Sequence, residues 1–124
     1  MKLDGFKNLY GIDPYLQEDN ILKSEVNLRK IDIHEVYDSF DLIMLNHSFE
    51  HMPDPLNVLK KINSLLLKFK FLMIRIPVMG TKAWNIYREN WFSLDAPRHL
   101  HIQTLESMDI LSSQTGFKIY DVVY

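Results

Sequence analysis

Phe40-Asp41-Leu42-Ile43-Met44-Leu45-Asn46-His47-Ser48-Phe49-Glu50-His51-Met52-Pro53-Asp54-Pro55 is the stretch on which the reading of this chain turns. Its first six residues form a nearly continuous apolar run of strand length, the pattern of a strand covered on both faces of a parallel sheet. Asp54 followed by Pro55 is a helix N-cap with proline at the first helical position, and Val58, Leu59, Ile62, Leu65 and Leu66 then recur at helical spacing. Phe71 to Ile76 returns to strand pattern before Pro77. Strand, helix and strand in so short a span predict a parallel crossover, right-handed by the usual rule.

Upstream, Phe6 to Ile12 reads as a short strand stopped by Asp13-Pro14, because proline removes a donor and biases the preceding residue away from helix. Tyr15 to Lys23 is weakly helical, and Asn27 to Ile31 is a short strand leading to Asp32. Downstream of Gly80 lies an aromatic stretch with Trp84, Tyr87, Trp91 and Phe92, then Pro97-Arg98-His99-Leu100-His101. Thr104 reads as an N-cap, Leu105, Met108 and Leu111 share one helical face, Gly116 fits the C-terminal cap, and Phe117 to Val123 reads as a last strand. With no internal repeat or linker, the expectation is a single α/β domain over residues 1–124, with residues 81–103 as a lid or acceptor-side insertion.

Composition narrows the class. At 124 residues, 47% hydrophobic and 24% charged, the chain has the make-up of a globular domain able to bury a core without staples. Its 14 Lys and Arg against 16 Asp and Glu leave a net charge of -2, with no electrostatic footprint for nucleic acid or an anionic membrane. Zero cysteines exclude disulfides, thiol nucleophiles and cysteine-ligated zinc. No apolar leader follows Met1, and Lys68, Lys70 and Arg75 interrupt the most apolar stretch, so a cytoplasmic protein is expected.

In an open α/β sheet, ligands bind beyond the carboxyl ends of the strands, which singles out Asp13, Asp32 and Asn46-His47. A carboxylate there offers two acceptors to the vicinal hydroxyls of a ribose; equally, Asp13 before proline stabilises its own turn. His47-Ser48-Phe49-Glu50-His51 also matches H-x-x-E-H, an inverted zinc-protease signature. That chemistry needs one long helix through both histidines, and Pro53 and Pro55 stop any helix starting at His47. No metal is expected, and a zinc hydrolase using His47, Glu50 and His51 stands as the lesser alternative.

Taken in order, these pieces resemble the class I S-adenosylmethionine-dependent methyltransferases. Phe40 to Pro55 looks like that family's fourth-strand segment, in the Glu50-His51-x-x-Asp54-Pro55 form of a branch acting on small molecules. Tyr10-Gly11-Ile12-Asp13-Pro14 resembles its second strand, and Asp95-Ala96-Pro97-Arg98-His99-Leu100-His101 with Thr104-Leu105-Glu106-Ser107 and Gly116-Phe117 its C-terminal stretch. The resemblance implies a Rossmann-like fold, a mainly parallel sheet with flanking helices, and S-adenosylmethionine as cofactor with S-adenosylhomocysteine as product. By position, Asp13 would bind the ribose with Pro14 and Tyr15 beside the adenine, Asp32 and Ile33 would flank the adenine, and Asn46 and His47 would border the methionine arm. Glu50, His51, His99, His101 and Trp91 would face a small-molecule or saccharide-type acceptor, with His51 and His99 the expected proton-handling groups.

The chain departs from that family at its most diagnostic point. Its four glycines are Gly5, Gly11, Gly80 and Gly116, and no two form a G-x-G turn. Only five residues precede Phe6, so the resemblance implies a truncated domain that lacks the first strand and its turn and has an incomplete C-terminal hairpin. Two further expectations follow: activity impaired by truncation, or a catalytically silent binding or assembly module. Strand edges left by a missing central strand would invite self-association.

Overall fold

The computed structural model describes residues 5–21 and 26–124, in two units, Met1–Tyr37 and Asp38–Tyr124, each with its own sheet. In the first unit, strand β1 (Tyr10–Ile12) and strand β3 (Asn27–Arg29) run parallel with Tyr10 opposite Asn27 and Ile12 opposite Arg29. Strand β2 (Asn20–Ile21) lies antiparallel on the other edge of β3. A Cβ on Gly11 would sit 2.7 Å from a Leu28 side-chain methyl, so a larger residue there would have to displace the Leu28 side chain.

Two expectations for this unit are corrected. The first strand starts at Tyr10 instead of Phe6, because Asn8 takes a left-handed conformation (φ 54°) that interrupts extended backbone. The weak helix expected over Tyr15 to Lys23 is absent from its described part, where Asn20–Ile21 is strand. Asp19 is held by the Lys30 amide (2.7 Å), which draws the segment onto the open edge of β3, and a ladder partner outweighs a weak helical pattern. Leu22 and Lys23, like residues 1–4, lie outside the described residues.

The second unit contains the predicted crossover. Strand β4 (Phe40–Asn46) is followed by helix α1 (Pro55–Leu65) and strand β5 (Leu66–Arg75), and the two strands pair in parallel from Leu42 opposite Phe71 to Asn46 opposite Arg75. Asp54 caps α1 as expected, accepting from the Asn57 amide at 3.1 Å and from its side-chain nitrogen at 2.8 Å. The apolar stripe of α1 (Val58, Leu59, Ile62, Leu65) is buried together with Leu45 and Phe49. Strand β5 is not covered on both faces. Leu72 and Ile74 are half-buried, whereas Phe69, Phe71 and Met73 on the alternate face are exposed. Between the pairs Phe40–Leu66 and Leu42–Phe71 the register slips, with Phe69 at φ 62° inside the irregularity.

After β5 come a short helix α2 (Lys82–Tyr87), capped by Thr81, and one-turn 3-10 helices at Arg88–Asn90 and Phe92–Leu94. A parallel bridge between Val78 and Gln103, with the Met79 amide donating to the Gln103 carbonyl at 2.8 Å, brings both ends of this segment to one neck. Helix α3 (Leu105–Gln114) starts in a reciprocal capping box between Thr104 and Ser107 and ends at Gly116 (φ 78°), where the Phe117 amide reaches back to Ser112 at 2.9 Å.

Helix α3 packs on α1, and Asn63 donates to the Thr115 carbonyl at 3.0 Å. Ser112 and the C-cap residue Thr115 are buried and Met108 and Leu111 half-buried, so of the face read from the apolar residues only Leu105 proves exposed. Phe117 to Val123 is not a strand either: Tyr120, Val122 and Val123 are exposed, and no ladder forms there. β-branched and aromatic residues fit a strand only where a neighbour supplies the other half of the ladder. No helix among the described residues is long and apolar enough to cross a membrane.

Candidate functional site

Strand β4 delivers its chemistry at its carboxyl end. Asn46 closes the ladder opposite Arg75, and the His47 amide donates to the Arg75 carbonyl at 2.9 Å. His47 then turns left-handed (φ 48°), which breaks the strand and starts a single 3-10 turn, Phe49–His51. His47 and His51 therefore do not share a helix, and the helical context of H-x-x-E-H does not form. Instead the turn buries Phe49 completely and Glu50 to 1% exposure.

A second loop is laced onto this turn by main-chain bonds. The Glu50 carbonyl accepts from the amides of Leu100 (2.9 Å) and His101 (3.3 Å). His51 Nδ1 lies 2.9 Å from the Arg98 carbonyl, and His101 Nε2 lies 3.2 Å from the Pro53 carbonyl. Asp95 organises the loop from within. Its carbonyl accepts from the amides of Arg98 and His99, and its carboxylate pairs with the Arg98 guanidinium at 2.8 Å. Asp95 itself is left-handed (φ 37°), which bends the chain back toward the Glu50 turn. The Glu50-His51 motif and the Pro97-to-His101 motif, about fifty residues apart in sequence, are thus one structure.

The side chains converge on one buried carboxylate. Glu50 Oε1 lies 3.4 Å from His47 Nδ1 and 3.9 Å from His99 Nε2, yet neither carboxylate oxygen has a hydrogen-bond partner. His99, 10% exposed, holds its Nδ1 2.8 Å from the Ser93 carbonyl and its Nε2 4.0 Å from Asp95 Oδ2. A carbonyl can only accept, so Nδ1 carries the proton in both His51 and His99, and in the neutral ring the lone pair is left on Nε2. The two rings meet edge to face with centroids 4.7 Å apart. A carboxyl group and two oriented imidazoles at the end of a parallel strand make a site able to accept protons or to bind a cation.

Of the expected acceptor-side residues, Glu50, His51 and His99 are brought together, with His47 beside them. His101 faces the Pro53 carbonyl. Trp91 packs edge to face with Trp84 at 6.1 Å, with the Arg88 guanidinium 6.0 Å from the Trp84 ring, whereas Tyr87 and Phe92 are exposed. The aromatic stretch is therefore one tryptophan pair with two outlying rings. Asp95, as the organiser of the loop, was not singled out from sequence. Its signal is local: an aspartate three residues before an arginine and four before a histidine.

The expected ribose and adenine residues lie in the first unit. Asp13 and Asp32 follow β1 and β3, whose parallel pairing is extended by a bond from the Asp13 amide to the Arg29 carbonyl at 3.1 Å. Asp13 Oδ1 accepts from the Tyr15 amide at 2.8 Å, so its turn-stabilising role is formed. The residue remains exposed, as do Pro14 and Tyr15. Asp32 caps the one-turn helix Ile33–Glu35, accepting from the His34 amide at 2.9 Å, while Glu35 accepts from the Asp32 amide at 2.9 Å. Ile33 is buried, so little of its side chain is open to a ligand.

The protein-family model described as a methyltransferase domain matches residues 1–122 of the chain. No curated protein matches it.

Proposed function

The chain belongs to the methyltransferase-domain family, and from that premise we propose that it transfers a methyl group from S-adenosylmethionine to a small-molecule or saccharide-type acceptor, in the branch marked by Glu50-His51-x-x-Asp54-Pro55. The observation that carries this reading is the Glu50, His51 and His99 cluster at the carboxyl end of β4, where a Rossmann-like sheet places its ligands.

The residues present fit the ribose end of the cofactor. One Asp13 oxygen is fixed by the Tyr15 amide while the carboxylate stays exposed, which leaves acceptor capacity for a ribose hydroxyl. Tyr15, 91% exposed, offers an open ring for the adenine. Asp32, Ile33, Asn46 and His47 complete the proposed cofactor set. None of the four glycines of residues 1–124 forms a G-x-G turn, so no residue of this stretch is assigned to the methionine carboxylate.

S-adenosylmethionine, when bound, supplies a methyl on sulfonium, open to in-line displacement. The chain's own part is positioning and proton handling. His99 presents Nε2 with its lone pair fixed by the Ser93 contact, ready to take the proton of an acceptor hydroxyl or amine. The positive charge formed on the ring is met by Glu50 Oε1 at 3.9 Å and Asp95 Oδ2 at 4.0 Å. His51, held through Nδ1 by the Arg98 carbonyl, is the second proton-handling group, and His101 and Trp91 line the acceptor side.

Calorimetric titration of the full chain with S-adenosylmethionine tests this. Saturable binding is expected, with Asp13→Ala weakening it by about tenfold or more, the loss of a hydrogen bond to a charged group. Absence of binding at millimolar cofactor would overturn the proposal. It would leave the second reading, a catalytically silent binding or assembly module.

A further inference from the structure

We propose that Glu50, His51 and His99 form a mononuclear site for a first-row divalent cation of the zinc type. One ligand atom from each of these three residues lies within 4.8 Å of the others. Two independent features of the same residues point to a cation.

The first is the state of Glu50. At 1% exposure, with neither oxygen hydrogen-bonded, an ionised Glu50 is a desolvated anion whose neighbours sit at ion-pair distance without completing a bond. Such a charge costs several kcal/mol in a protein interior unless a counter-charge meets it at close range. A divalent cation bonded to a carboxylate oxygen supplies that counter-charge.

The second is the way the histidines are held. Metal-bound histidines almost always donate their remaining ring N–H to a carbonyl or carboxylate, which fixes the tautomer and aims the ligating nitrogen. His99 does this to the Ser93 carbonyl at 2.8 Å and His51 to the Arg98 carbonyl at 2.9 Å. Two imidazoles and one carboxylate are a zinc donor set that leaves a fourth position for water or another oxygen ligand. Tetrahedral zinc with bonds near 2.0–2.1 Å needs donors roughly 3.3 Å apart, so the trio closes by up to about 1.5 Å through side-chain rotation. Selectivity follows from the ligands: imidazole nitrogen favours zinc over the hard cations magnesium and calcium.

A bound cation would take the ring lone pairs that the proposed proton transfer uses, so the metal-loaded and proton-accepting forms of the cluster exclude each other, and the test of the site needs no cofactor. The full chain, stripped with chelator and exchanged into metal-free buffer, is titrated with zinc against a chromophoric indicator. One zinc per chain is expected at micromolar or tighter affinity, weakened by about 100-fold or more in Glu50→Gln and in His99→Ala, and unchanged in His34→Ala. Zinc should also shift the ring-nitrogen resonances of His51 and His99 in the unsubstituted chain while leaving those of His34 in place, a readout that needs no variant to fold. Absence of 1:1 binding up to millimolar zinc, native affinity in Glu50→Gln or His99→Ala, or shifts that avoid His51 and His99 would each overturn the proposal.

Discussion

Glu50 is where function and stability oppose each other. Burying its carboxylate without hydrogen bonds is a cost that a folding-optimised sequence would remove, since apolar residues of similar size commonly replace buried ionic groups at no loss or at a gain of about 1–4 kcal/mol. Glu50→Leu in chelator-treated buffer is therefore expected to raise the urea midpoint by an amount equivalent to about 1 kcal/mol or more. A lowered midpoint would mean that His47 and His99 already repay the burial of the charge. The sequence placed Glu50 on the acceptor side but not in the interior. Nothing local marks it, because what buries it is the loop bonded to its own carbonyl through Leu100 and His101, far along the chain. Glu50, His51 and His99 were all named from the motifs, whereas the burial of Glu50 required the fold.

At the level of elements, the strand–helix–strand unit was readable because its signals are local: an apolar run, a cap and a helical stripe. The cap is also the element to test. Asp54→Ala removes two acceptor contacts at the start of α1 and is expected to lower stability by about 1 kcal/mol in urea titration. Asp41→Ala, which removes an exposed pair with Lys70 at 2.7 Å, should change it by less than about 0.5 kcal/mol. A larger loss at Asp41 than at Asp54 would contradict this ranking. The elements that sequence misplaced depend on partners. Phe117 to Val123 has strand residues without a ladder, and Asn20–Ile21 has a ladder without a convincing strand pattern, so pairing with β3 decided the second and the lack of a paired strand decided the first.

For the molecule as a whole, the uncovered face of β5 sets its behaviour in solution. Phe69, Phe71 and Met73 present an apolar row on a strand whose one ladder partner among the described residues is β4, the kind of edge that recruits another chain. Sedimentation velocity over a rising concentration series is expected to show association, reduced in Phe71→Lys; a concentration-independent monomer would exclude it. The neck at Val78 and Gln103 has a different consequence. Residues added or removed between Gly80 and Asn90 would be absorbed inside a loop whose ends are already joined, so this stretch is free to change length without moving either flank. Beyond Asp95 that freedom ends, since one inserted residue would pull His99 out of step with Glu50. The first half of the segment is thus open to inherited changes of length and the second half is closed to them.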